Sequence, residues 1–430
     1  MPQPYIVFDT KTAKGRVLIV VLLLGVAILC CYAIRWQLGN MLVELTRPNE
    51  PDAKKVSETA LRLAPGDPLA QWLVASTHKM SSTDDGPQAS IRRFEDVVRL
   101  SPYDYRWWIE LGRAYEQSED YDNAERALRR AVELGPSYAY PRWQLGNYLL
   151  RRDRVDEAFA ELKKTTENNL DYREQVFSLA WDYFQKDPAK LEQNIADSPD
   201  VRSSLALFYA AHDRAGESLR VWNSLTPEQK AEHPQIAKTI AQALTSRRFF
   251  REAVEFSRQV GIDPESSPEI VTNGGFEKPL GSADDNLFGW KLTRGDNKLD
   301  VSVDSSVKHS GGRSLKLNFK TYVKPELFNV WQIVAVNPQQ NYRLSFWLRT
   351  EDLRSAGVPQ VDVVNGNDDR IVASSPPFPA GTSDWHEVTI DFKTPENCEG
   401  IFIRTSRTYC GDACPIVGTV WYDDFSIGRR

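Results

Sequence analysis

The feature that most constrains this chain is a recurrence at 34 residues. Leu111, Gly112, Ala124 and Leu128 reappear as Leu145, Gly146, Ala158 and Leu162, and Leu145–Gly146 recur again as Leu179–Ala180, with Tyr183 following. A fixed period of this length marks one supersecondary unit repeated in line, each copy burying its apolar face on the next. The residues at the recurring positions specify two antiparallel helices. Gly112, Gly146, Ala124 and Ala158 let the backbones approach, while the large apolar positions fill the seam.

The stretch RWWIELGRAYEQSEDYDNAERALRRAVELGP carries Trp108, Leu111, Gly112, Tyr115, Ala124, Leu128, Ala131 and Pro136 in order, and so resembles the tetratricopeptide repeat across residues 105–138. Upstream, Ala53, Ala60 and Pro65 look like the second helix of a degraded first unit, and Trp72 to Pro102 like a unit whose turn, SSTDDGPQ, is two residues longer. Downstream, 205–225 and 239–259 keep the hairpin spacing and lose the glycine. About five hairpins are expected over residues 51–260. The resemblance implies a solenoid whose first helices line a groove. Its groove positions are Arg106, Ile109 and Arg113, then Tyr140, Trp143 and Asn147, then Glu174, Phe177 and Trp181. Two roles fit these aromatics: gripping an extended peptide or helix of a protein partner, or packing against a neighbouring repeat or domain.

Before the repeats, Val17 to Ile34 runs without a charge, near the lower end of the ~17–25 residues that span a bilayer. Arg16 and Arg35 bracket the run, and Tyr32 and Trp36 sit where an interfacial aromatic belt would lie. A cleaved signal peptide is the rival reading, but the run is long for one. Cys30-Cys31-Tyr32 is not a small-residue cleavage site, and Leu29 before Cys30 makes a poor lipoprotein box. The expectation is an uncleaved helix over 17–36 behind a cytoplasmic tail, 1–16. Lys11, Lys14 and Arg16 in that tail outweigh Arg35 and Arg47 beyond the span, which places the bulk of the chain outside. Cys30 and Cys31 then serve as small apolar fillers.

After Gly261-Ile262-Asp263-Pro264 the helical period stops, and short alternating runs separated by Gly, Pro, Asn and Asp take over. In YRLSFWLRT, Tyr342, Leu344, Phe346 and Leu348 share one face and Arg343, Ser345, Trp347 and Arg349 the other. HEVTIDF turns Val388, Ile390 and Phe392 inward, and SLKLNF, VWQIVAV, GIFIRTS and VWYDDFSI complete a set spaced like a two-sheet sandwich. The fold class expected for the whole is therefore a transmembrane helix, an α-helical solenoid and an antiparallel β-sandwich over 265–430.

The landmarks of this last segment are Asn273-Gly274-Gly275-Phe276-Glu277, Gly289-Trp290, His309-Ser310-Gly311-Gly312-Arg313-Ser314-Leu315, Tyr342 to Trp347, Trp385 and Trp421-Tyr422-Asp423-Asp424-Phe425. Together they resemble the family 4/9 type of carbohydrate-binding module, a galactose-binding-like jelly roll. The resemblance implies a structural Ca²⁺ with Glu277 and Asp423 as carboxylate ligands and backbone carbonyls near 308–311 completing the shell; hard oxygen ligands suit this ion. The other reading makes them strand-end charges without metal. It also implies a glycan ligand, and sugar surfaces need exposed rings with hydrogen-bonding neighbours. Trp347 between Arg343 and Arg349 fits best, followed by Trp331 and Gln332, with Trp290, Trp385 and Trp421 left to the core. Related sandwiches that bind protein, or no known ligand, leave the alternative open. Cys410 and Cys414 bracket Gly411-Asp412-Ala413, which suits a disulfide clip outside the cytoplasm or, as the rival, half of a zinc site without a second pair.

Function classes narrow by exclusion. Lys+Arg number 53 against Asp+Glu 59, a net charge of −6 spread along the chain, so no basic stripe supports nucleic-acid binding. There is no G-x-S-x-G elbow, Walker loop, G-x-G-x-x-G or H-E-x-x-H, and His78, His212, His233, His309 and His386 are scattered. A glycosidase needs two carboxylates facing across a cleft, and no such pair stands out. The expectation is a non-catalytic, membrane-anchored adaptor of the bacterial envelope, in the inner membrane with its bulk periplasmic. Its repeats would take a protein partner and its sandwich a glycan, in exopolysaccharide assembly or export. The alternatives are a purely protein–protein scaffold and a cryptic glycan-active enzyme.

Overall fold

The computed structural model describes residues 12–79, 86–280, 286–293, 297–324, 326–411 and 414–430. Parts of the expected tail (residues 1–11), of the SSTDDGPQ turn and of the Gly411–Ala413 loop therefore lie outside the described residues. The chain divides into two compact units at Ile195/Ala196.

The first unit is helical: α1 (Ala13–Glu44), α2 (Ala53–Leu63), α3 (Pro68–Lys79), α4 (Gly86–Leu100), α5 (Tyr105–Gln117), α6 (Tyr121–Leu134), α7 (Ala139–Arg151), α8 (Val155–Asn168), α9 (Leu170–Tyr183) and α10 (Pro188–Ile195). The 34-residue period becomes helix pairs that touch where the sequence is smallest. A Cβ added to Gly112 would stand 2.8 Å from Leu128 Cγ and 3.2 Å from the Ala124 carbonyl oxygen. At Gly146 the distances are 2.8 Å to Leu162 Cγ and 3.3 Å to the Ala158 oxygen. Asp104 and Asp120 cap α5 and α6 by accepting from the Arg106 and Asn123 amides.

The apolar run is one part of a longer helix. α1 extends without a break to Glu44, and its 18-residue apolar window has mean hydropathy 3.1 with none of it buried. Its last turns are the partner that the expected first unit lacked. Val43 is buried with Ala60, Ala70 and Leu73, and Gly39 lies so close to Ala64 that an added Cβ would stand 2.8 Å from that methyl. The helix packing thus begins inside α1, ahead of residue 51.

The second unit opens with α11 (Pro199–Ala211), α12 (Ala215–Asn223), α13 (Pro227–Ala231), α14 (Pro234–Ser246) and α15 (Phe250–Gln259). Ten strands follow: β1 (Lys291–Leu292), β2 (Leu299–Asp304), β3 (Ser314–Tyr322), β4 (Val330–Ala335), β5 (Asn341–Arg354), β6 (Pro359–Asn365), β7 (Ile371–Ser374), β8 (Gly381–Lys393), β9 (Gly400–Arg407) and β10 (Ile416–Arg429). They form two five-stranded sheets, ordered β1-β4-β9-β6-β7 and β2-β3-β10-β5-β8, with antiparallel pairing throughout. Tyr342, Leu344, Phe346 and Leu348 are fully buried between them, as the alternation requires. Trp290 packs there against Phe276 and Phe425, ring centres 5.2 and 4.9 Å away.

The helices α11–α15 and the sandwich belong to one compact unit, so the composition break near Pro264 marks a change of secondary structure and not of unit. Phe250 of α15 meets Phe402 of β9 edge-on at 6.0 Å. Gly366 and Gly400 make its seat: a Cβ on Gly400 would stand 2.5 Å from the Phe250 ring. Beside it Arg248 donates to the Gly366 carbonyl (2.7 Å) and to Asp369 (2.8 Å).

Candidate functional site

Strand alternation gives the sandwich two outward faces, and each carries tryptophan and arginine. On the β2-β3-β10-β5-β8 sheet, Trp347 points outward as expected, but its ring is not free. The loop after β2 returns over the sheet and lays the His309 imidazole parallel to the indole, centres 3.7 Å apart. Trp385 stands edge-on to the same imidazole at 5.9 Å, half-buried on this face and not in the core. Arg343 makes a bidentate pair with Asp391 (2.7 and 2.9 Å), and Arg349 lies over the ring of Trp421 at 5.8 Å. Trp421 also faces outward, yet it is 2% exposed: Lys316 covers it from β3, and its Nε1 donates to Asp304. One face of the half-buried Trp347 ring is therefore covered and Arg343 is paired, which leaves the expected Trp347 platform only partly open.

The same loop reaches the expected metal carboxylates. Asp423 Oδ2 accepts from the His309 and Ser310 amides (2.8 and 3.3 Å), and Glu277 Oε1 from those of Gly312 and Arg313 (2.7 and 3.2 Å). Asp424 takes the His309 ring at 2.7 Å. Burial raises the Asp423 pKa, the His309 amide lowers it, and the neighbouring Asp424 charge raises it again. Asp423 has no exposed surface, and its bonds in this loop come from backbone amides. Among the described residues, the three side chains that bring ligand atoms within 4.8 Å of one another lie elsewhere: Asp200, Glu232 and His233 on the helical segment.

The outward face of the β1-β4-β9-β6-β7 sheet is arranged differently. Pairing aligns Lys291, Trp331, Arg404, Asp362 and Ser374 in one row across all five strands. Trp331 is half-buried, its ring edge-on to Phe402 at 5.7 Å. The Arg404 guanidinium sits 4.0 Å over the Phe328 ring, its Nε 4.0 Å from Asp362 and without a hydrogen-bond partner. Asp362 accepts from Gln360 (2.9 Å) and Ser374 (2.7 Å). Gln332 does not belong to this row. It is fully buried toward the sandwich interior and donates to the Thr272 carbonyl at 2.7 Å, which removes it from the sugar candidates. Adjacent residues of a strand face opposite sides, so Trp331 and Gln332 cannot share a surface. Arg404, Asp362 and Gln360 were missed because each is an ordinary strand polar residue; only the register places them beside Trp331.

In the repeats, Arg106 pairs with Asp104, Arg113 with Glu110 (3.1 Å), and the Asn147 amide donates to the Trp143 carbonyl. Tyr140 and Trp143 are half-buried, and Trp143 meets Tyr172 at 5.8 Å. Glu174 is exposed. Ile109, Phe177 and Trp181 are buried, which removes them from any groove surface: their helices turn these side chains into packing. Cys410 and Cys414 are joined as a disulfide, Cα atoms 5.9 Å apart. Cys398 is buried and free, its thiol pushed up to about 11 by burial.

The tetratricopeptide repeat family matches residues 85–139 and 109–171, and the carbohydrate binding domain of the 4/9 type matches residues 268–405. The chain carries tetratricopeptide repeats and a carbohydrate binding domain. Interferon-induced protein with tetratricopeptide repeats 2 from Cricetulus griseus is 25% identical over 163 residues, 38% of this chain; the match spans about a third (32%) of that relative's length. Among solved structures, MamA from Desulfovibrio magneticus RS-1 is similar over 32% of this chain and 74% of its own (23% identity, TM-score 0.26). A CBM4 structure is similar over 37% of this chain and 99% of its own (16% identity, TM-score 0.28). The CBM22-1 xylan-binding domain of Paenibacillus barcinonensis Xyn10C is similar over 38% and 96% (15% identity, TM-score 0.26). The repeats and the binding domain are of binding rather than catalytic type.

Proposed function

We propose that this chain is a non-catalytic, membrane-anchored adaptor of the bacterial envelope, whose repeats hold a protein partner and whose carbohydrate binding domain holds a glycan, in exopolysaccharide assembly or export. The row Trp331–Arg404–Asp362 carries the glycan reading. An indole supplies a face for stacking on sugar C–H groups and the half-buried guanidinium beside it supplies donors, while Asp362, 2% exposed and held by Gln360 and Ser374, fixes the row from beneath. The uncharged α1 segment with Lys14 and Arg16 before it supports an anchor with its N-terminus in the cytoplasm, and the Cys410–Cys414 bridge suits the oxidising side.

Affinity electrophoresis of the full chain through gels containing a panel of soluble polysaccharides tests the glycan reading. The expected result is retardation by at least one glycan, lost on Trp331→Ala and Arg404→Ala and kept on Trp347→Ala. Loss on Trp347→Ala alone would move the site to the other sheet, and no retardation by any glycan would favour the protein–protein scaffold.

We propose further that Glu277 and Asp423 take a structural Ca²⁺. Asp423 is a buried carboxylate beside a second one. A Cβ on Gly275 would stand 3.2 Å from Asp424 Oδ1 and 3.8 Å from Asp423 Oδ1, so two carboxylates lie beside that glycine, while Glu277 turns its own carboxylate to the Gly312 and Arg313 amides. Glu277 and Asp423 would hold the ion, which would neutralise the excess charge. Chelator should then lower the melting temperature of the full chain, and Glu277→Gln should remove that dependence; identical melting with and without chelator would refute the site.

A further inference from the structure

We infer that one edge of the repeat array lies in the lipid headgroup layer, with Tyr103 and Tyr138 as its interfacial rings; the inference rests on α1 spanning the membrane. Val17–Ile34 rises about 27 Å at ~1.5 Å per residue, close to the ~30 Å of a hydrocarbon core. Arg35 to Asn40 then cross the headgroup layer, roughly 5–8 Å deep on each side, on the same unbroken helix. These residues hold the α2–α3 turn. Arg35 donates to the Arg62 carbonyl (3.1 Å), a Cβ on Gly66 would stand 3.5 Å from the Trp36 ring, and Asn40 donates to Asp67 (3.1 Å). With Gly39 packed on Ala64, that turn is fixed at the height of Arg35 and Trp36 and has no linker along which to move away.

A solenoid repeats its edges. The α4–α5 and α6–α7 turns occupy the place of the α2–α3 turn in later units, each joining a second helix to the next first helix. On this edge Leu100 is 45% exposed, Tyr103 82% and Tyr138 58%; the open cavity they line also holds Asp104 and Arg106, whose charges pair with each other at 2.6 Å. The opposite edge, at the α5–α6 and α7–α8 turns, presents Glu119, Arg152 and Asp153. Tyrosines with an apolar body and a polar tip are the side chains that settle at a membrane–water interface, and the charged edge is the one that faces water. The occupant assigned to the Tyr103–Tyr138 edge is therefore lipid headgroup and not a peptide.

The test labels single cysteines with an environment-sensitive fluorophore in full chain whose Cys30, Cys31 and Cys398 are replaced by serine, reconstituted in phosphatidylcholine–phosphatidylglycerol vesicles. Gly25→Cys, Tyr103→Cys, Tyr138→Cys and Glu119→Cys report the span, the two tyrosine positions and the opposite edge. Nitroxide on the lipid headgroup should quench positions 103 and 138 several-fold more than 119, and nitroxide deep on the acyl chain should quench position 25. Quenching at 25 with 103 and 138 no more quenched than 119 would overturn the inference and leave the anchor standing. No quenching at 25 would remove the anchor and the inference with it.

Discussion

The two outward faces of the sandwich are made by the same alternation and are covered in different ways. On the β2-β3-β10-β5-β8 sheet every aromatic has a partner: Trp347 has His309, Trp385 has His309, and Trp421 has Lys316, Arg349 and Asp304. On the β1-β4-β9-β6-β7 sheet the Phe250 seat fills only the end near Gly400, and Trp331 and Arg404 keep surface beyond it. Pointing outward is thus a property of the strand, whereas being available is a property of what folds back over it. The loop from Asp304 to Arg313 decides the matter on the first face, because its amides are committed to Asp423 and Glu277 and carry His309 with them.

The largest effect that would separate the faces is at Trp421. Trp421→Ala removes a ring that is 2% exposed although it lies outside the core, and should cost about 3–5 kcal/mol. Chemical unfolding of the full chain measures it, with glycan retention in the folded protein unchanged. A loss below about 1 kcal/mol, within the range of ordinary surface changes, would mean that this face is less covered than described.

Next is Asp304, which anchors both Trp421 and the start of the covering loop. Burial pushes its carboxyl up, but bonds from the Ser306 hydroxyl, the Trp421 indole and the Ser306 and Val307 amides outweigh it and hold it well below the usual range. A depressed folded value means that its contribution is complete above the unfolded carboxylate range, near ~4, and disappears as pH falls through the folded value. Asp304→Asn should therefore cost about 1.5–3 kcal/mol near neutrality, and the gap between variant and parent should close as the pH of the unfolding measurement drops toward about 2. A gap independent of pH would show that the charge is not what Asp304 contributes.

The same contrast explains what was legible in the sequence. Gly112 with Leu128, and Gly146 with Leu162, encode a contact within some sixteen residues, and it recurs, so the repeat register was readable from spacing alone. The inward set of β5 was readable because alternation is local. Three things were not local. The first helix pair was hidden because its first helix is the end of a long apolar one, whose Gly39 and Val43 read as more of the same helix. The row Trp331–Arg404–Asp362 draws on residues separated by 31 to 73 positions in sequence and exists only through the register of their strands. Gln332 was misassigned for want of phase, since neither it nor Trp331 announces which side is inward until Val330 and Val334 are seen in the core.

The smallest expected effect is the sharpest test of the comparison. His309→Ala removes the ring stacked on Trp347 and leaves the amides that hold Asp423. An aromatic pair contributes roughly 0.5–1.5 kcal/mol beyond its buried area, so the fold should persist with a modest loss of stability. What the substitution changes most is access: it uncovers one face of the Trp347 indole, and fluorescence quenching by acrylamide should rise. If that face were a glycan site held shut by its own loop, His309→Ala would strengthen retardation in polysaccharide gels. The surroundings argue against this. Arg343 stays paired with Asp391, and Arg349 stays over Trp421 with its Nε buried, so the donors beside the uncovered ring are held away from it, and a stacking surface with few reachable hydrogen bonds to the hydroxyls discriminates poorly between sugar and water. The expected result is a more accessible indole with unchanged glycan retardation. Increased retardation that Trp347→Ala then abolishes would make the loop a gate and return the glycan site to the first face.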